Sequence, residues 1–183
     1  CVPGNFKIKD YNNDGKLTDD DYIIDGKRTP DWTGGMTNMF KYRDFDLSFH
    51  MYFQLGATQY DRFFENFALE WNSQNFNNLR TNYWTPENPS NTMGRPSQMG
   101  SRGNIAYEKT DFLKVSYVTL GYSLNKKLLS KWGLSNARIY VTVQNPLILT
   151  KFRGLDPEQP DITNIGDTDG MTKNTLLGVN VSF

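Results

Sequence analysis

The stretch Phe45–Leu55 constrains the fold more than any other. Phe45, Leu47, Phe49, Met51, Phe53 and Leu55 alternate with Asp46, Ser48, His50, Tyr52 and Gln54. A period of two is the signature of a β-strand with two chemically different faces. Six large apolar side chains on one face fill the roughly 9–11 residues that a tilted strand needs to cross a bilayer. A half-buried strand of a water-soluble sheet is more often about 5–6 residues long. Length therefore favours a membrane wall over a sandwich layer.

Four further stretches read as strands. In 32–42, Trp32, Gly34, Met36, Phe40 and Tyr42 share one parity, interrupted by Asn38. In 112–124, Leu113, Val115 and Tyr117 share one parity and Val118, Leu120, Tyr122 and Leu124 the other, which predicts a β-bulge between Tyr117 and Val118. In 137–149, Ile139, Val141, Val143, Leu147 and Leu149 alternate with Arg138, Tyr140, Thr142, Gln144 and Pro146. Pro146 has no N–H for a ladder bond and predicts a break near the strand end. The last stretch, 174–183, alternates Leu177, Val179, Val181 and Phe183 with Gly178, Asn180 and Ser182.

The connections alternate between short and long, as in an up-and-down barrel with short periplasmic turns and longer extracellular loops. The reading divides the chain into an extracellular loop (1–31), a barrel hairpin (32–56), a long extracellular loop (57–111), a second hairpin (112–149), a loop (150–173) and a closing strand (174–183). Five strands cannot close a barrel, and lipid tolerates no open edge, so more strands are required. The aromatic residues Trp32, Tyr42, Phe45, Tyr122 and Trp132 near strand ends suit interfacial girdles.

Composition removes other classes. The 183 residues carry 20 basic and 20 acidic side chains, so no basic excess points to nucleic acid. Mean hydropathy is −0.64, and no run approaches the ~18 apolar residues of a membrane helix. Barrel strands hide their apolarity by alternation. The single cysteine, Cys1, allows no internal disulfide. It reads as the point where a longer polypeptide was cut, the other reading being a lipidated lipoprotein terminus. No nucleophile elbow, zinc-ligand spacing or phosphate-cradling loop is present, so no enzyme is expected. His50, the one histidine, lies on the polar face and reads as lumen-facing, not catalytic.

Residues 10–21 fit an EF-hand calcium loop. Asp10, Asn12 and Asp14 occupy positions 1, 3 and 5, Gly15 the turn, Lys16 the backbone-carbonyl position 7, and Asp21 position 12. Asp at position 12 departs from the usual Glu and resembles the dockerin variant. No helical pattern precedes Asp10, which makes this a structural calcium ion pinning a loop and not a sensor. In the insertion 57–111, Tyr60, Phe63, Phe64, Phe67 and Trp71 at helical spacing predict an amphipathic helix. Its aromatics read either as the loop's own small core or as a sugar- or peptide-binding surface. Asp156, Glu158, Asp167 and Asp169 match no metal template and read as solvated loop charge.

Several stretches together carry a resemblance. Asp10-Tyr-Asn-Asn-Asp-Gly, Phe45-Asp-Leu-Ser-Phe, Trp84-Thr-Pro-Glu-Asn-Pro, Leu113 to Leu124, Arg138-Ile-Tyr-Val-Thr-Val-Gln-Asn, Gly154-Leu-Asp-Pro-Glu and Leu177-Gly-Val-Asn-Val-Ser-Phe resemble the C-terminal end of the SusC/RagA family of TonB-dependent outer-membrane transporters. Gly178, Val181 and Phe183 resemble the family's C-terminal assembly signal. The resemblance implies a plugged barrel of about 22 strands in the outer membrane of a Gram-negative bacterium. It implies import of oligosaccharides or peptides, energy from the TonB complex, and a SusD-like lipoprotein as lid. The plug and the TonB-contacting region would lie outside these residues. The competing architecture is a calcium-stabilised extracellular β-sandwich, an adhesin or carbohydrate-binding module. The two differ over what covers the Phe45–Leu55 apolar row.

Overall fold

The computed structural model describes residues 2–61, 63–64, 82–95, 106–159 and 171–183. It divides into two compact units. The first is one antiparallel sheet of five strands: β1 (Trp32–Tyr42), β2 (Phe45–Leu55), then β5 (Phe112–Ser123), β6 (Asn136–Thr150) and β7 (Asn174–Ser182), hydrogen-bonded in that order. The second unit contains the hairpin of β3 (Thr58–Tyr60) and β4 (Tyr107–Lys109) together with the N-terminal segment. All five predicted strands are present, within a residue or two of their expected ends. The hairpin β3–β4 is an addition, and it takes Tyr60 out of the predicted helix; Phe67 and Trp71 lie outside the described residues.

Strands β1 and β2 pair without interruption from Tyr42↔Phe45 to Trp32↔Leu55. Arg43 takes a positive φ of 54° in the two-residue turn, the mirror-image twist that tight hairpins favour. Between β5 and β6 the chain forms a short helix, α1 (Lys126–Leu129), capped by the Asn125 side chain accepting the Lys127 N–H at 2.9 Å. Gly133, at φ 68°, releases the chain towards β6, and Leu129 is fully buried beneath this connection.

The register places every alternating residue. Met36, Phe40, Phe45, Leu47, Phe49, Met51, Phe53, Leu113, Val118, Leu120, Ile139, Val141, Leu177 and Val179 share one face. On the other stand Thr37, Lys41, Asp46, Ser48, His50, Tyr117, Thr119, Tyr140, Thr142 and Asn180.

The predicted bulge sits one residue earlier than expected. Between the pairs at His50 and Met51, β2 advances one residue while β5 advances two, from Tyr117 to Val115. Over the same step β6 advances three, from Gln144 to Leu147. Ser116 is thus the extra residue of β5, and Tyr117 belongs to the polar face, not with Leu113 and Val115. On β6 the slack falls at Asn145, with φ 49°, and at Pro146. Pro146 marks the expected break near the strand end, an irregularity shortly before the strand stops at Thr150. The Asn145 side-chain amide donates to the Thr172 carbonyl at 3.1 Å and anchors this irregularity to the chain entering β7.

Candidate functional site: a two-faced sheet and its loops

The apolar face is bare. Phe45 is 52 % exposed, Leu120 47 %, Leu149 55 % and Leu177 78 %. No second layer covers them among the described residues. Neighbouring strands contribute ring pairs along this face, Phe40 with Phe49 at 6.1 Å and Phe45 with Tyr122 at 4.8 Å. Gly34 on β1 makes room for the Phe53 ring, which a Cβ there would approach to 2.6 Å. Asn38, the exception in the β1 pattern, also lies on this face opposite Phe49. Its amide Nδ2 is shielded without a partner, a cost of order 1–3 kcal/mol on mutational scales.

The polar face is knitted by side-chain contacts. Thr37 Oγ1 and His50 Nδ1 lie 2.8 Å apart, and the imidazole stacks on Tyr117 with 15° between the rings. His50 therefore sits where its sequence parity puts it, among hydroxyls and rings. Thr119 and Thr142 pair at 2.8 Å, and Tyr52 meets Phe112 at 5.8 Å. Arg138 on β6 reaches over β5 to Asp46 on β2, with Nε–Oδ1 2.8 Å and Nη2–Oδ2 2.5 Å. The guanidinium passes above Gly121, where any Cβ would overlap both partners. Tyr140 lies beside Arg138 at 5.0 Å and over Gly178 of β7 in the same manner.

The candidate calcium loop is an ordered polar turn. Asp10 Oδ2 accepts the Gly15 N–H at 2.8 Å, Asn12 Oδ1 the Asp14 N–H at 2.9 Å, and Asp14 Oδ1 the Lys16 N–H at 2.7 Å. Asp21 closes the turn by accepting from Tyr11 at 2.7 Å and Thr18 at 3.0 Å. Those backbone N–H groups, Thr18 first, hold the Asp21 carboxyl below the usual carboxylate range. Gly15 has φ 81°, which supplies the sharp turn the template requires. The other Asp10 oxygen, Oδ1, is shielded and accepts nothing. Among the described residues, no three His, Cys, Asp or Glu side chains form a preformed metal cluster. The five template positions Asp10, Asn12, Asp14, Lys16 and Asp21 are thus gathered in one turn, with most side-chain oxygens turned to backbone N–H groups.

Elsewhere in the loops Asp61, Phe64 and Asp156 are packed, while Glu158 is exposed as expected. Asp61 is fully buried; its Oδ1 accepts the Phe64 N–H at 2.9 Å and its Oδ2 has no partner. Burial pushes its carboxyl above the usual range. Arg153 lies over the Phe64 ring, 3.9 Å from its centroid, and pairs with Glu108. Phe64 is 4 % exposed, so it packs a small core in the loop. Asp156, expected to be solvated, is buried and accepts the Glu158 N–H at 2.8 Å. Asp167 and Asp169 lie outside the described residues. Trp84, from the Trp-Thr-Pro-Glu-Asn-Pro stretch, covers Gly4, which has φ 84° and no room for a side chain. The turn behind Trp84 is closed by reciprocal Thr85 and Asn88 backbone bonds at 3.2 and 3.1 Å.

No family model matches the chain. Curated proteins do. It is 32% identical over 198 residues to TonB-dependent receptor P26 of Formosa agariphila, a match covering 100% of this chain and 20% of the receptor. It is 32% identical over 157 residues to TonB-dependent receptor SusC of Bacteroides thetaiotaomicron, covering 81% of this chain and 15% of SusC. Among solved structures, the RagAB peptide importer in its open-open state matches with a TM-score of 0.71 at 22% identity, over 92% of this chain and 19% of that one. The chain thus spans about a fifth of the length of such relatives. By sequence along its whole length and by fold, the chain belongs, as a segment, to the SusC/RagA family of TonB-dependent receptors.

Proposed function

We propose that this segment is part of the wall of an outer-membrane nutrient importer that takes up oligosaccharides or peptides. The observation that carries the reading is the uncovered apolar face running across all five strands, backed by a polar face on the same sheet. Water would not leave such a face bare in a soluble domain, whereas hydrocarbon matches it. In this orientation Thr37, His50, Tyr117 and the Asp46–Arg138 pair line the lumen. The turn at Arg43–Asp44 and the connection through α1 face the periplasm, and residues 1–31, 57–111 and 150–173 face outwards. The importing protein would draw energy from TonB through a plug beyond this segment and close with a SusD-like lipoprotein. The resemblance to SusC and the RagAB likeness support these partners.

The test uses the full-length receptor in outer membranes, with Cys1 replaced by serine. Single cysteines at Ser48 and Phe49 are probed with a water-soluble maleimide and with a lipid-dissolved quencher of an attached dye. Labelling at 48 from water and quenching at 49 from lipid is the expected result. Protection of both positions from both reagents would instead indicate a sandwich, with the apolar row packed on protein.

A second reading concerns residues 10–21, which we propose hold a structural calcium ion. The Asp10–Gly15 bond and the unpartnered Asp10 Oδ1 support it. Asp10, Asn12 and Asp14 side chains, the Lys16 carbonyl and Asp21 would be the ligands, all hard oxygens. Isothermal calorimetry on the calcium-stripped full-length receptor tests this, and the absence of any calcium-dependent heat would remove it.

A further inference from the structure

The end of the sheet that carries the Arg43–Asp44 turn is basic and aromatic. Three segments meet there. The Ser123 N–H donates to the Asp44 carbonyl at 2.8 Å and ties the turn to the end of β5. The Ser135 N–H donates to the Ser182 carbonyl at 2.9 Å and ties the α1 connection to the end of β7. Tyr42 carries the apolar parity of β1 to this rim, opposite Phe45, and is exposed. The Arg43 guanidinium lies over the Tyr42 ring, 5.4 Å from its centroid, so its charge borders the apolar face. Lys127 and Lys131 are exposed and four residues apart in the helical run that α1 continues into Ser130–Trp132. Leu128 and Trp132, also exposed, repeat that spacing one residue on, so an ammonium strip and an apolar strip lie side by side. Arg43, Lys127 and Lys131 form no ion pair among the described residues. Of the two carboxylates nearest in sequence to Arg43, Asp46 is taken by Arg138 and only Asp44 remains.

We propose that this rim binds the headgroup phosphate of an anionic phospholipid in the adjacent membrane leaflet. The inference rests on the importer reading, which puts the apolar face in hydrocarbon and this rim at the periplasmic surface. A lipid phosphate sits just beyond the hydrocarbon, the level at which interfacial rings such as Tyr42 and Trp132 stand. Arg43 offers a fork that meets two phosphate oxygens, and the Tyr42 ring holds it in place. Lys127 and Lys131 add point charges to the same field. A choline or ethanolamine headgroup would bring its own cation among three like charges and is disfavoured. Charge alone would also suit an acidic protein. The cations, however, border Tyr42, Phe45 and Tyr122 at the end of the apolar face, and a lipid covers that end with its acyl chains.

The test uses the full-length receptor, with Cys1 replaced by serine, in phosphatidylcholine vesicles. A dye attached through Ser130→Cys reports the lipid beside the rim. It is quenched by small amounts of phosphatidylglycerol or phosphatidylcholine carrying a nitroxide high on one acyl chain. Phosphatidylglycerol is expected to quench at a mole fraction at least about fivefold lower. Arg43→Asn, which keeps a residue tolerant of positive φ, is expected to remove most of that preference. So is the double change Lys127→Gln with Lys131→Gln. Lys151→Gln, beyond the opposite end of β6, should leave it unchanged. Heat-modifiable gel migration confirms that each variant keeps its barrel. Equal quenching by the two lipids, or a preference untouched by the rim substitutions, would overturn the proposal. So would loss of the preference on adding inorganic phosphate at constant ionic strength, which would assign the rim to a free anion. The importer reading fails separately, through the cysteine-labelling result; the expected labelling together with equal quenching removes the lipid site alone.

Discussion

Arg138 and Asp46 are separated by an entire strand, yet they form a two-pronged ion pair across the polar face. The crossing exists because the intervening position is Gly121. A side chain there would overlap both the guanidinium and the carboxylate. A local feature of β5 thereby decides a contact between β2 and β6.

Substituting Gly121→Ala should push the pair apart. In the full-length receptor the loss should approach that of Arg138→Gln, and the two changes together should cost little more than either alone. The pair is partly exposed, so about 0.2–1 kcal/mol is the scale to expect for its coupling. Denaturant unfolding in lipid vesicles, arranged as a double-mutant cycle, measures it. Fully additive effects would mean that Gly121 serves something else.

The two faces should respond oppositely to charge. Phe49→Arg puts a cation on the apolar row and should cost about 2–4 kcal/mol if that row meets the bilayer midplane. Thr119→Arg, on the polar face, should cost far less. Refolding yield and unfolding free energy in vesicles separate the two. Similar costs at both positions would contradict the barrel wall.

Deleting Ser116 removes the extra residue of β5. Residues 112–115 would keep their faces, because Val115 and Tyr117 already stand opposite the adjacent β2 residues Met51 and His50. Insertion should therefore survive, seen as protease-resistant receptor in the outer membrane. Deleting Thr119 instead, away from the bulge, should turn one side of β5 to the wrong face and leave protease-sensitive periplasmic receptor.

Asp61 should make its loop more stable in acid. Burial raises its folded carboxyl above the unfolded value of 3.8, so the neutral form suits the fold. This contribution is fully present below the unfolded value and is lost as pH rises through the raised one. Hydrogen exchange at the Phe64 amide, corrected for intrinsic rates, should slow on acidification across that window. Asp61→Asn should flatten the dependence, because its carbonyl still accepts the Phe64 N–H.

Asp21 should act in the opposite sense. Its carboxyl is lowered by the Thr18 and Tyr11 N–H groups, so the turn 10–21 is supported above 3.8 and released as pH falls through the lower folded value. Calcium, if bound as proposed, should protect this turn from limited proteolysis at neutral pH. Chelation or Asp10→Ala should abolish the protection, and an unchanged digestion rate would count against the ion.

Strand existence was legible because alternation is an explicit record of two environments, and β1, β2, β5, β6 and β7 all carry it. Two details were not. Tyr117 suits either face, so parity alone put it with Val115, and only the pairing with His50 shows which residue is extra. Strands β3 and β4 are three residues each, too short for a period to emerge. Burial of Asp61 and Asp156 was also invisible, because acidic loop residues look alike until their neighbours are known. The calcium template, in contrast, is local in sequence, and its turn geometry follows from Asp10, Gly15 and Asp21 within one short stretch.

The unequal steps of β2, β5 and β6 between the same two rungs have a mechanical meaning. Where neighbouring strands spend one, two and three residues to climb the same height, the sheet cannot stay flat at that level. Extra residues of this kind bend a strand and increase its twist, and they fall beside the stacked His50 and Tyr117. Coupled strand lean and curl set the girth of a closed cylinder. In the proposed closed barrel, the diameter at that level would therefore depend partly on Ser116, Asn145 and Pro146.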